Sequence, residues 1–226
     1  MQLFGDPASP YVTRVVMLAR LKGVALQRPP VPGDNPRSEA WHAINPLGKV
    51  PGLVLPDGRM IPESELICEY LEDAFPGVPG LPADPVGRMT SRLVARVTDL
   101  YISPRFQPLL PHLDPGHRDQ KAVDEIGAGL AKAFRALDFY MADGSFCAGE
   151  QPGIGDCALG TYMQLLKHVI FPAFDTIADP TASPGRLAAW WAALQGHKVC
   201  RAVLDDYGRA VDEFMAANRE TLHEHR

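Results

Sequence analysis

Residues 76–85, PGVPGLPADP, hold four prolines in ten positions and divide the chain into two parts with different hydrophobic periods. Before this stretch the period changes repeatedly, and after it every apolar pattern is helical. A chain punctuated in this way is expected to fold as a small α/β unit followed by an all-α unit. The expected boundaries are a first domain over 1–78, a linker over 79–85 and an all-helical domain over 86–226. With 226 residues, 46% of them hydrophobic, the chain can bury a substantial core.

In the first part, Gln2–Phe4 reads as a short strand, and Val12 to Lys22 carries apolar residues at helical spacing up to Gly23. Ala25–Val31 is a possible second strand, confined to an edge by Pro29 and Pro30. After a loop with one helical turn around Ser38–Ile44, Gly52–Leu55 and Arg59–Ile61 flank a Pro-Asp-Gly hairpin. Leu66, Ile67, Tyr70, Leu71, Ala74 and Phe75 then mark one face of a helix that Pro76-Gly77 stops. The sum is βαβ, a ββ hairpin, then α. In the second part a long segment from Val86 to about Pro111 is broken or kinked at Pro104 and Pro108. Further helices follow through Ile126–Met141, from Gly153 to Ile170, after a Ser183-Pro184 opening, and over Val199–Asn218.

Several partner classes are disfavoured. A net charge of −5 argues against nucleic acid or an anionic membrane as the main partner. No apolar run reaches the roughly 20 residues that span a bilayer. The start MQLFGDPASP lacks the basic and apolar regions of a signal peptide, so a cytoplasmic location is expected. Four widely spaced cysteines without a CxxC pair are expected to be reduced and buried, not bridged or metal-binding. The HEHR tail, with His223 and His225, reads as a solvated terminus.

Three motifs in the first part could carry chemistry, and each also has a plain structural explanation. In GKVPGLVL, Pro51 interrupts a strand pattern. A cis bond there would turn the main chain of Val50 toward an extended peptide, whereas a trans proline would merely start the strand. In PESELICEYL, Ser64 stands at an expected N-cap whose free N–H groups suit a carboxylate, and Glu63 beside it suits an ammonium group. A simple helix cap would look the same. In DPASPYVTRVV, Ser9 precedes Pro10 at a helix start, a good place to stabilise a thiolate and equally an ordinary helix opening.

Taken together and in this order, the three motifs resemble the glutathione S-transferase family. The resemblance covers essentially the whole chain. It implies an N-terminal thioredoxin-like βαβ–ββα domain and a C-terminal helical-bundle domain. NPLGKVPGLVL looks like the family's cis-proline segment, PESELICEYLEDAFP like its glutathione-anchoring helix, and SPYVTRV like the activating turn of its serine-type, bacterial members. By that resemblance Val50 and cis-Pro51 hold the cysteinyl part of glutathione, and Glu63 and Ser64 hold its γ-glutamyl end. Lys49, and more loosely Arg37, reach the glycine carboxylate, and Ser9 is the catalytic hydroxyl. PGIGDCAL resembles the family's buried capping motif, with Asp156 present but Gly153 where Ser or Thr is usual. A Gly at the N-cap costs only a few tenths of a kcal/mol relative to Ser.

The function implied is a glutathione transferase, with glutathione as co-substrate, acting on an apolar electrophile. Tyr11, Tyr101, Phe106 and Met163, with Leu100 and Pro104, fall near the domain junction or on inward helical faces and are candidate walls for it; each is equally a core position. Arg88, Arg92, Arg96 and Asp99 form one polar stripe, read as a solvated face or, from the family, as part of a homodimer contact. A glutathione-dependent isomerase or aryl-ether-cleaving enzyme is the alternative within enzymes. The doubled Ser-Ser-Cys turn of the maleylacetoacetate isomerases is absent, and a non-catalytic scaffold of the same fold is the alternative outside them.

Overall fold

The structure is a computed structural model that describes residues 1–218. The HEHR tail lies outside the described residues. Strand β1 (Gln2–Phe4) leads into helix α1 (Pro10–Leu21), a short α2 (Glu39–Ile44), the hairpin β2 (Gly52–Val54) and β3 (Met60–Pro62), and then α3 (Ser64–Ala74). The sheet order is β1-β2-β3, with both neighbouring pairs antiparallel. The possible strand over Ala25–Val31 is reduced to a single parallel bridge between Gln2 and Gln27. Pro29 and Pro30 have no N–H to extend that ladder.

The second half is helical throughout: α4 (Pro85–Val97), α5 (Ser103–Phe106), α6 (Gln120–Tyr140), α7 (Ile154–Val169), α8 (Arg186–Gly196) and α9 (Lys198–Ala217). A π-helical turn over Thr98–Ile102 joins α4 to α5, and a 3₁₀ segment over Gln107–His112 follows. Pro104 and Pro108 each stand second in a new helical segment, where a missing N–H costs nothing. Helix α8 opens at Arg186 after an extended Gly185, so Ser183-Pro184 belongs to the preceding loop rather than to a cap. No described helix is long and apolar enough to cross a membrane.

One hydrophobic core runs through both halves, because α1 packs on α3 to one side and on α7 and α9 to the other. The four cysteines lie in that core as free thiols. The capping motif at α7 is assembled as its residues suggest. Asp156 accepts hydrogen bonds from the N–H of Gly153 and of Cys147, both at 2.9 Å, and from Trp190 Nε1 at 2.7 Å. Gly153 is needed for space. A Cβ there would lie 2.3 Å from the carbonyl oxygen of Gly80, which itself accepts from Ile154 N at 2.9 Å. The linker is thus pressed onto the start of α7, and a Ser or Thr would not fit.

Candidate functional site

The register of the sheet decides which residues meet. Phe4 pairs with Gly52, and Gly52 pairs with Pro62. The residues next beyond this row, Gly5, Pro51 and Glu63, therefore share one end of the sheet. The Ser9 turn follows Gly5, Val50 precedes Pro51, and Ser64 follows Glu63. Gly5 permits the closest of these approaches: a Cβ on it would come within 2.4 Å of Val12 Cγ2 and 3.2 Å of Val50 Cβ. Its φ of 144° is also poorly tolerated by other residues.

Ser9 is the N-cap of α1, with φ −84° and ψ 123°, and Pro10 begins the helix. Its Oγ accepts from Val12 N at 3.4 Å, longer than an ordinary N–H···O bond. No acceptor for its own proton is found among the described residues. The hydroxyl is thus a free donor at the positive end of a twelve-residue helix.

The Val50–Pro51 peptide is cis. The carbonyl of Lys49 is occupied, accepting from Asn45 Nδ2 at 2.8 Å and Trp41 Nε1 at 3.2 Å. The next main-chain groups are not. Among the described residues, neither the N–H nor the carbonyl of Val50 has a partner. Val50 is half-buried and Pro51 buried, so a rigid peptide edge is presented with its polar groups unused.

Ser64 is not the N-cap but the first residue of α3. Glu63 holds the cap position with φ 65° and ψ 117°, a conformation uncommon outside glycine. Ser64 is buried, yet its Oγ has no partner and is not sealed from solvent. The side chains of Glu63, Lys49 and Arg37 are exposed, and none enters an ion pair among the described residues. Arg37 is held only through its backbone N–H, which donates to Asn35 Oδ1.

The expected wall residues part company. Tyr11 is half-buried and reaches the helical half, where its hydroxyl bonds Ser103 Oγ and its ring meets Tyr162 edge-on at 5.5 Å between centroids. Phe106 is buried at its edge of the core, while Tyr101 and Leu100 are half exposed. Met163 has no exposed surface and belongs to the core rather than to a wall. A groove of about 360 Å³ along the linker, lined by Glu72, Gly80, Arg88, Ser91 and Asp156 among others, contains none of these residues.

Sequence reasoning passed over Arg14. Fully buried, it holds Asp99 through two nitrogens at 2.6 and 2.9 Å and touches Glu65 at 3.4 Å. Asp99 is therefore not part of a solvated stripe. Of that stripe, Arg92 pairs with Glu69 through two bonds of 2.7 Å. One cation between two carboxylates leaves an excess negative charge. Burial above all, with the nearby charges of Asp99 and Glu69, pushes the Glu65 carboxyl up to about 7 against the pull of Arg14. Burial likewise pushes the Cys68, Cys147 and Cys157 thiols up, and Cys200 to about 12, so none is a nucleophile. No local sequence signal marks the Arg14 cluster, because its partners lie 51 and 85 positions away.

Comparison with known proteins agrees with this geometry. The family model for the glutathione S-transferase N-terminal domain matches residues 3–79. A probable glutathione S-transferase of Zea mays, BZ2, is 32% identical, with 93% of each chain covered. A maleylacetoacetate isomerase of Pseudomonas aeruginosa is 31% identical over 70% of this chain and 78% of its own. Among solved structures, a Tau class glutathione S-transferase from mango shares the fold, with a TM-score of 0.74, 24% identity and coverage of 95% of this chain and 97% of its own.

Proposed function

The chain belongs to the glutathione S-transferase family, and from this premise we propose that Ser9 ionises bound glutathione and directs its sulfur at an apolar electrophile. The fold is thioredoxin-like in its first half and all-helical in its second, and glutathione is the co-substrate. The observation that carries the proposal is the sheet end at which the Ser9 turn, the unpaired main chain of Val50 and the Glu63-Ser64 corner meet. A tripeptide laid along Val50 would satisfy its N–H and carbonyl by strand addition. The α-carboxylate of its γ-glutamyl end would meet Ser64 Oγ and the first N–H groups of α3, with the ammonium group at Glu63. Lys49 and Arg37, both without ion-pair partners, supply positive charge for the opposite carboxylate.

The energetics suffice without a general base. Lowering a thiol from about 8.5 by two units requires roughly 2.7 kcal/mol. A hydrogen bond to a charged group contributes about 1.5–3 kcal/mol, and a helix N-terminus about 0.3–1. Ser9 acts as a donor to the thiolate and forms no covalent bond. The reduced, buried thiols support a cytoplasmic setting. Exposed Leu66, Val86 and Met89 on α3 and α4 support a homodimer through that face.

The Pseudomonas relative favours a second reading, glutathione-dependent cis–trans isomerisation, in which the same thiolate adds and is expelled again. Titration calorimetry with glutathione tests the shared step. Binding that weakens at least tenfold in Ser64→Ala supports this site, and absence of binding by the wild type would favour a scaffold. Assays with a benzyl halide and with a cis-enedione then separate transfer from isomerisation.

A further inference from the structure

Ser103 sits between two phenols. Its Oγ bonds the hydroxyl of Tyr11 on one side and that of Tyr162, at 2.7 Å, on the other. Three hydroxyl groups carry three protons, and the two bonds of the chain use two of them. The third needs an acceptor elsewhere. Ser103 and Tyr162 are both buried, and neither oxygen has another acceptor among the described residues. Leaving the spare proton on either would strand a donor in the core. Tyr11 is the one member that is only half-buried, and it stands two residues beyond Ser9 in the first turn of α1. The arrangement without a stranded proton runs in one direction: Tyr162 donates to Ser103, Ser103 donates to Tyr11, and Tyr11 donates outward. Burial pushes the Tyr162 hydroxyl far up, so the head of the chain keeps its proton.

We infer that Tyr11 is a catalytic hydrogen-bond donor to the electrophile, with Ser103 and Tyr162 as positioning residues, and that the enzyme prefers electrophiles whose reaction places negative charge on oxygen, such as α,β-unsaturated carbonyl compounds. This rests on the glutathione site proposed above. In the step, the sulfur lone pair forms a bond to the β-carbon, the C=C pair shifts toward the carbonyl, and the carbonyl π pair moves onto oxygen. Tyr11 stabilises that enolate oxygen, and a proton from solvent, replacing the one the thiol released, closes the α-carbon. The two phenols behind Tyr11 polarise its O–H and fix its direction. A donor aimed where charge develops acts on the transition state rather than on binding alone.

The test is a ratio: kcat/KM for an enone over kcat/KM for a benzyl chloride, whose leaving group is halide. Tyr11→Phe is expected to lower that ratio at least tenfold. Ser103→Ala should lower it about threefold or more, whereas Ser103→Thr, which keeps a hydroxyl, should hold it near the wild-type value. An unchanged ratio in Tyr11→Phe, or equal ratios in Ser103→Ala and Ser103→Thr, overturns the inference. Glutathione affinity measured by calorimetry on the same proteins separates the two levels. If glutathione binds and the ratio does not move, only the role of Tyr11 falls; if wild type binds none, the site falls and the inference with it.

Discussion

Arg14 grips Asp99 through both terminal nitrogens of its guanidinium, at 2.6 and 2.9 Å, and so ties α1 of the sheet half to the π-helical turn of the helical half. Burial opposes the Arg14 charge, but the hydrogen bonds and charge of Asp99 outweigh it and raise its pKa. Removing one partner of a buried pair leaves the other charge stranded, at a cost of about 3–5 kcal/mol. Arg14→Ala is therefore expected to destabilise the protein by that amount in urea unfolding. Arg14→Lys should recover little, because an ammonium cannot make the bidentate fork. A loss below about 1 kcal/mol in Arg14→Ala would show that the pair does not hold the halves together.

Glu65 makes stability depend on pH in an unusual direction. Its carboxyl lies near 7 in the fold, above the ordinary value of 4.5. The folded chain therefore binds more protons than the unfolded one between about 4.5 and 7. The contribution is fully present below 4.5 and is lost as pH rises through 7. Glu65→Gln is expected to flatten this part of the stability profile. Identical slopes in the two proteins would contradict the assignment.

Gly153→Ser would complete the capping motif that the sequence resembles, and a cap alone would gain only a few tenths of a kcal/mol. The new Cβ, however, meets the Gly80 carbonyl at 2.3 Å. Overpacking against backbone typically costs about 1–3 kcal/mol. The variant should be less stable than wild type by thermal unfolding, and a gain in stability would show that the linker can give way.

The helices were legible because their apolar stripes repeat at 3.6 residues, and the site motifs because each is local: a Ser-Pro turn, a Val-Pro step, a Glu-Ser corner. Errors came where neighbours at a distance decide. Pro29 and Pro30 weaken a strand in principle, but only the missing ladder shows that almost nothing of it survives. Met163 keeps helical spacing whether it faces a cleft or the core, and its complete burial chooses the core. Ser183-Pro184 has the composition of a helix opening, yet the chain turns into α8 only after Gly185. Arg14 with Asp99, and Ser103 between two tyrosines, are pairings across 85 to 92 positions that no spacing rule contains.

The account turns on the hydroxyl of Ser9 being the group that ionises the sulfur. Thiolate absorbance of bound glutathione, titrated against pH in wild type and in Ser9→Ala, reads this directly. The loss of a charge-assisted hydrogen bond of about 1.5–3 kcal/mol predicts a rise of roughly one to two units in the apparent thiol pKa. An apparent pKa that stays the same in Ser9→Ala, with glutathione still bound, would contradict it.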